Sequence, residues 1–353
     1  MNALHQQAGE ALHAGRTALV AQMVEREFVR HPELEHRYGK TVRDRMISDT
    51  GYHVAYLAQA VSVDRAELFV EYIGWAKVML AKRGVPAPYL ATLLESMKEA
   101  VCAQLSAELS ALPCEHLDHA LRELPSLPDE VPSFIAKTNR FAPLATAYLA
   151  ALLRGERHVA SQLILEEAAR DTAVRDLYLH VFQPAQYELG RLWQLNEINV
   201  AQEHYGSAAT QLIMAQLYPR VFSGEKNRGT VVVACVAGDL HEIGARMVSD
   251  VFELDGWATH YLGANVPAAS LVQTVVRLKA TVLALSATIT YHVRAVAELI
   301  ATVRRMPECA GLKILVGGFP FKIAPGLWRD VGADGSARDA QEALTLTNQL
   351  LPA

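Results

Sequence analysis

The sequence predicts an α/β domain with a parallel sheet at residues 226–353, preceded by all-α structure. Three observations carry this. Short apolar runs at 231–236 (VVVACV), 256–263 (GWATHYLG), 281–287 (TVLALSA) and 313–316 (KILV) alternate with helical patterns at 242–254, 266–278, 291–305 and 339–350. A short fifth strand is expected near 333–335. Such alternation builds a doubly wound parallel sheet. Upstream, eight segments place apolar residues three and four apart, the helical period. Between the first four of these segments and the last four, prolines at 113, 125, 128 and 132 interrupt the pattern.

The domains follow. Residues 1–112 form a helical sensor or dimerisation domain, with helices at 18–30, 41–61, 65–82 and 88–109. Asp64 is the expected N-cap of the third, and Gly84 with Pro86 its stop. Residues 113–133 read as a linker with one or two helical turns. Residues 134–222 read as a four-helix bundle, with helices at 142–153, 157–170, 174–192 and 200–218 joined by short links. Asn199 caps the last, and Gln202 at its third position completes a capping box. On that helix Ala201, His204, Ala208, Leu212 and Ala215 share a face, so a histidine lies on a stripe of small residues. In the sheet domain Pro267 opens a helix, where its missing N–H costs nothing.

Lys and Arg number 33 against 38 Asp and Glu, a net charge of −5, with no basic cluster. This argues against direct nucleic-acid binding. No apolar run is long enough to span a bilayer, and the first residues lack a signal-peptide pattern. Four cysteines show no CxxC spacing and read as reduced thiols in the cytoplasm.

Chemistry concentrates after the first strand, where Asp239, His241 and Gly244 form Asp-x-His-x-x-Gly at the carboxyl end. Open parallel sheets bind ligands at such ends. The motif resembles the cobalamin-binding domain of methionine synthase, corrinoid carriers and cobalamin light sensors, a Rossmann-like (flavodoxin-like) fold. The resemblance implies that His241 ligates cobalt from below, that Asp239 holds its other ring nitrogen, and that Gly244 lets the nucleotide tail pass close to the backbone. Ser286 and Thr288 after the third strand match the family's serine position. Gly317 and Gly318 match its paired glycines, and Ser336 falls where a fifth loop faces the tail.

In the bundle, nine residues separate Trp193 from Glu203-His204. This spacing resembles the adenosylcobalamin light sensors of the CarH type. It implies that Trp193 covers the adenosyl group, Glu203 contacts its ribose, and His204 takes the upper cobalt position after light. The chain lacks that family's DNA-binding domain. Its domain order resembles the photocobilins, which hold a bilin as well. A biliverdin pocket is therefore expected among His53, Tyr56, Tyr72 and Trp75, near Tyr52 and Phe69, with Arg43 and Arg45 reaching the propionates. The alternative is that these aromatics are core.

The resulting expectation is a non-enzymatic photoreceptor whose self-assembly, as a homodimer or larger, changes on photolysis and signals to a downstream protein. The alternatives are a corrinoid methyl carrier of a methyltransferase system and a cobalamin-responsive anti-repressor that binds a transcription factor.

Overall fold

The structure, a computed structural model, describes residues 3–33, 35–36, 39–86, 88–222 and 224–351. Two compact units emerge, one of residues 1–129 with 323–331, the other of 130–322 with 332–353.

The first unit contains α1 (Ala3–Arg30), α2 (Val42–Ser62), α3 (Ala66–Lys82), α4 (Pro88–Gln104) and α5 (Ala107–Glu123). Leu12, Leu19 and Met23 of α1 pack into a core with Leu57, Phe69, Leu94 and Leu117. Gly9 sets the closeness of α1 to α2, since a Cβ there would stand 2.6 Å from Ala58 O. Gly84 ends α3 as expected. Its φ is +76°, and Val85 N–H reaches back to Leu80 O at 3.0 Å, the hydrogen bond of a Schellman ending.

Three expectations need correction. Helix α1 starts at Ala3 rather than 18, because the buried Ala8, Gly9 and Leu12 extend its inner face through small residues. Asp64 is not an N-cap; it turns the chain at φ +53° and sets its carboxylate 3.1 Å from His5 Nε2, while Arg65 caps α3. The expected linker is helical to Glu123, because Ser106 caps α5 and buried His116, Leu117 and Ala120 hold it to the core. Pro113 stands inside that helix and has no backbone N–H to donate to its ladder. The prolines at 125, 128 and 132 lie in the irregular segment that follows.

The second unit opens with the bundle: α6 (Ala142–Leu153), α7 (Arg157–Ala169), α8 (Val174–Leu177), α9 (Gln183–Gln194) and α10 (Val200–Val221). A π-helical turn, Tyr178–Phe182, joins α8 to α9, so the two run as one bent helix. The capping box at Asn199–Gln202 is present in both directions, at 3.0 and 3.1 Å. Gly206 admits α9 against α10, since a Cβ would stand 2.5 Å from Leu189 Cδ1.

The sheet follows as β1 (Thr230–Cys235), β2 (Ala258–Tyr261), β3 (Val282–Ser286), β4 (Lys313–Gly317) and β5 (Gly335–Ala337), all parallel in the order β2-β1-β3-β4-β5. This is the flavodoxin-like doubly wound order, with its switch point between β1 and β3. Cys235 pairs with Ser286, and Ser286 with Gly317, so three strand ends finish level. The longer helices between strands are α11 (Ile243–Leu254), α12 (Ala268–Arg277) and α13 (Val293–Arg304), with α14 (Ala340–Leu350) last; two short helical turns, Phe319–Ile323 and Leu327–Asp330, lie between β4 and β5. One continuous apolar core joins bundle and sheet, from Phe182, Ile213 and Met214 to Val231, Phe252 and Trp257. Among the described residues, no helix is long and apolar enough to cross a membrane.

Candidate functional site

The loop between β1 and α11 carries Asp239 and His241 to the level carboxyl ends of the sheet. Gly238 turns the chain at φ +89°. Its N–H donates to Asn265 Oδ1 at 2.7 Å, and Asn265 N–H donates to Asp239 O at 2.9 Å, so the loop after β2 pins this one. Asp239 is fully buried. Its Oδ1 accepts from His241 N at 3.0 Å and lies 2.9 Å from His241 Nδ1. Its Oδ2 accepts from the backbone N–H of Thr288.

These contacts fix the charge state. Burial alone would raise the Asp239 pKa, yet the hydrogen bonds from His241 and Thr288, with the nearby His292, outweigh it and hold the carboxyl well below the usual carboxylate range. An ionised Asp239 can only accept, so His241 Nδ1 carries the proton and Nε2 keeps its lone pair. The same hydrogen bond raises the His241 pKa; burial opposes it, and the charges of Asp239 and Glu203 add to it. The His241 side chain is 57% exposed. An imidazole oriented from behind by a carboxylate and open in front is a ready ligand for a transition metal.

The surroundings fit a large, flat ligand above that nitrogen. Leu240 beside His241 is 71% exposed, and Phe319 after the paired glycines 49%. On α10 the residues Ala201, His204, Ala208, Leu212 and Ala215 are all exposed, so the stripe of small residues is an uncovered face and not core. Half-buried Glu203 and Ser207 flank it, the Ser207 hydroxyl donating to Glu203 Oε1 at 3.0 Å. His204 is 74% exposed, its Nε2 3.6 Å from Glu203 Oε2. Trp193 is half-buried near the end of α9. Gln211, two turns beyond Glu203, donates from Nε2 to Glu242 Oε1 at 2.8 Å. Glu242 is the N-cap of α11 and adjoins His241. Its other oxygen accepts from Tyr261 Oη at 3.0 Å and Ala264 N at 3.1 Å. That network fixes α10 against the His241 loop.

The remaining expected residues divide. A Cβ on Gly244 would meet nothing within 4 Å, so open space lies beside the start of α11. Gly317 and Gly318 have a structural cause. A Cβ on Gly318 would stand 2.0 Å from Ala287 O, and one on Gly317 3.2 Å from Ala337 O. Ser286 ends β3 and Ser336 lies in β5 opposite Val316, both half-buried.

Sequence reasoning missed His292, buried behind Asp239 with Nδ1 3.9 Å from Oδ2. It also missed Asn265, Glu242 and Gln211. Their signal is tertiary, since each acts on a segment at least 22 residues away or on a neighbouring element.

In the first unit the expected aromatic group does assemble. Tyr56 stacks on Tyr72 with centroids 3.6 Å apart, Trp75 lies 6.1 Å from Tyr72, and Tyr72 Oη is 2.9 Å from His53 Nδ1. Burial pushes the His53 pKa down to about 4, so this histidine is neutral. Tyr52 points outward, 51% exposed. Arg43 and Arg45 are not brought to the rings. They begin α2, about 12–15 Å along its axis from His53. Arg43 pairs with Glu25 at 2.8 Å and covers the Phe28 ring at 4.1 Å.

The chain is similar to known B12-binding proteins. Residues 229–345 match the family model described as the B12 binding domain, and residues 144–218 match a second model of the same description. The chain is 25% identical to a corrinoid protein of Desulfitobacterium hafniense over 206 residues, covering 57% of this chain and 94% of that one. It is 30% identical to dimethylamine corrinoid protein 3 of Methanosarcina mazei over 130 residues, covering 36% of this chain and 76% of that one. The match spans 58% of the length of dimethylamine corrinoid protein 2 of the same organism. The solved monomethylamine corrinoid protein of Methanosarcina barkeri superposes with a TM-score of 0.54 at 21% identity, covering 60% of this chain and 99% of that one. That likeness is one of fold.

Proposed function

Because the chain belongs to the corrinoid proteins, a family of B12-binding proteins, we propose that it holds cobalamin with His241 as the lower cobalt ligand and serves a methyltransferase system as a methyl carrier. One observation carries the cobalt assignment: buried Asp239 fixes His241 Nδ1 and leaves Nε2 facing outward. The carrier reading draws support from the names of two relatives, both dimethylamine corrinoid proteins.

Bound cobalamin would supply a cobalt whose upper ligand can be exchanged. The chain's own residues would set the stage. Asp239 keeps the proton on Nδ1, the Gln211–Glu242 contact holds α10 in place, and the exposed stripe of that helix would cover the bound group. The open space at Gly244 would take the nucleotide tail, with Ser286, Thr288 and Ser336 beside it.

A second reading, the adenosylcobalamin light sensor, is favoured by one feature. Glu203 flanks the exposed face of α10 that carries His204, and the Glu203 charge reaches His241. In that reading Trp193 covers the adenosyl group, Glu203 contacts its ribose, and His204 takes the upper position after light. Biliverdin belongs to this reading too. The rings of the first unit stack on one another, so a bilin would have to part Tyr56 from Tyr72. Absorbance that co-purifies after co-expression with a haem oxygenase, and vanishes on unfolding, would support it.

The two readings separate in one experiment. The full chain is loaded in the dark with methylcobalamin or adenosylcobalamin, and each form is followed by spectrum and elution volume before and after green light. The carrier reading expects a methylated form that yields its methyl group to a methyltransferase, with unchanged elution in light. A light-driven change of assembly that His204→Ala abolishes would favour the sensor instead.

A further inference from the structure

We propose that Cys102 and Cys114 form a redox-active dithiol that closes to an intramolecular disulfide between α4 and α5. Their sulfurs lie 3.2 Å apart on neighbouring antiparallel helices joined by a two-residue link. The pairing continues one turn away, where Lys98 Nζ contacts both carboxylate oxygens of Asp118 at 2.6 and 2.8 Å. Lys98 precedes Cys102 by four residues, and Asp118 follows Cys114 by four. Ion pair and thiol pair are therefore successive rungs of one helix seam. The rung below fixes the rung above, so the sulfurs face each other without a search. Closing to a bond of about 2.05 Å starts from sulfurs already 3.2 Å apart.

The two thiols have different surroundings. Cys102 is exposed, and Cys114 is half-buried behind it. Burial, then the hydrogen bond to Cys102, pushes the Cys114 thiol up. Lys98 interacts electrostatically with both sulfurs, which favours negative charge on whichever thiol ionises. Cys102 is thus the thiol that meets an external oxidant, and Cys114 the one that resolves. Cys235 and Cys309 are buried and do not compete.

The oxidant class is a small-molecule disulfide. The Cys102 thiolate attacks one sulfur of RSSR, forming Cys102–S–SR and releasing RS⁻. Cys114 then attacks the Cys102 sulfur, the mixed disulfide breaks, and a second RS⁻ leaves. The two cysteine protons go to the released thiolates. In sum, two cysteine thiols are oxidised and one RSSR is reduced to two RSH.

The test uses the full chain, reduced and then incubated with excess oxidised glutathione. The expected product has lost the mass of two hydrogens, yields a peptide joining Cys102 to Cys114, and reverts with dithiothreitol. Cys114→Ser should instead accumulate one stable glutathione adduct at Cys102. Cys102→Ser should react at least roughly tenfold more slowly, its remaining thiol being half-buried. A wild-type chain that stays fully reduced would overturn the proposal. So would a stable glutathione adduct on wild-type Cys102 with no internal bond. Circular dichroism of both variants, unchanged from the parent, keeps a folding defect from imitating either outcome.

Discussion

Asp239 Oδ1 lies 2.9 Å from His241 Nδ1 while also accepting the backbone N–H of His241 at 3.0 Å. One buried oxygen therefore sets both the ring and the loop that carries it. Replacement by Asn keeps an acceptor and removes the charge. Asp239→Asn should bind cobalamin roughly ten- to a hundredfold more weakly, measured by equilibrium titration of the apo chain. Because Asp239 raises the His241 pKa, protonation competes with ligation at a higher pH in the parent than in Asp239→Asn. Affinity should fall on acidification in both, at a higher pH in the parent. Identical pH profiles would detach Asp239 from the ligand's titration.

Gly244 and Gly318 separate ligand space from folding constraint. Gly244 sits in a helix with open space at its Cβ. Gly244→Ala should raise the stability of the apo chain by up to about 1 kcal/mol and yet weaken cobalamin binding. Gly318 has φ +110° and no room beside Ala287 O. Gly318→Ala should cost about 1–3 kcal/mol in denaturant unfolding. A Gly244→Ala chain with unchanged affinity would move the tail elsewhere.

How much of this was legible follows from locality. The strands formed within two residues of the pattern, β5 at 335–337 rather than 333–335. The capping box and the αL stop at Gly84 are written within a few neighbouring residues, and each formed where the pattern put it. The irregular turn Tyr178–Phe182 and the reach of α5 past Pro113 were not, because tertiary packing outweighs local propensity there. His292, Asn265 and Gln211 matter only through register between distant elements. The two cysteines twelve residues apart became a pair only once α4 and α5 were seen to run antiparallel. The aromatic group around Tyr72 was legible as neighbours on two helices, but its dense stacking was not.

Asp250 gives the bundle–sheet junction a pH dependence. Burial, only partly offset by the Tyr178 hydroxyl at 2.7 Å and by Arg246, raises its pKa to about 6, and Glu253 adds to the rise. An acid with a raised folded pKa stabilises the fold below its unfolded pKa, and that contribution is lost as pH rises through the folded value. The parent should therefore lose about 1–3 kcal/mol of stability between pH 4 and pH 7 through this group, the lower bound being the unfolded aspartate value. Asp250→Asn should flatten that slope in denaturant unfolding. A slope unchanged in the variant would assign the dependence to other groups.

The most direct test of His241 as the lower ligand is electron paramagnetic resonance of the chain loaded with cob(II)alamin, in natural abundance and with ¹⁵N-labelled histidine. The account predicts that histidine labelling changes the axial nitrogen splitting from a triplet to a doublet, and that His241→Ala removes the effect. A triplet that survives labelling would mean that the cofactor's own benzimidazole holds the cobalt, and would contradict the account.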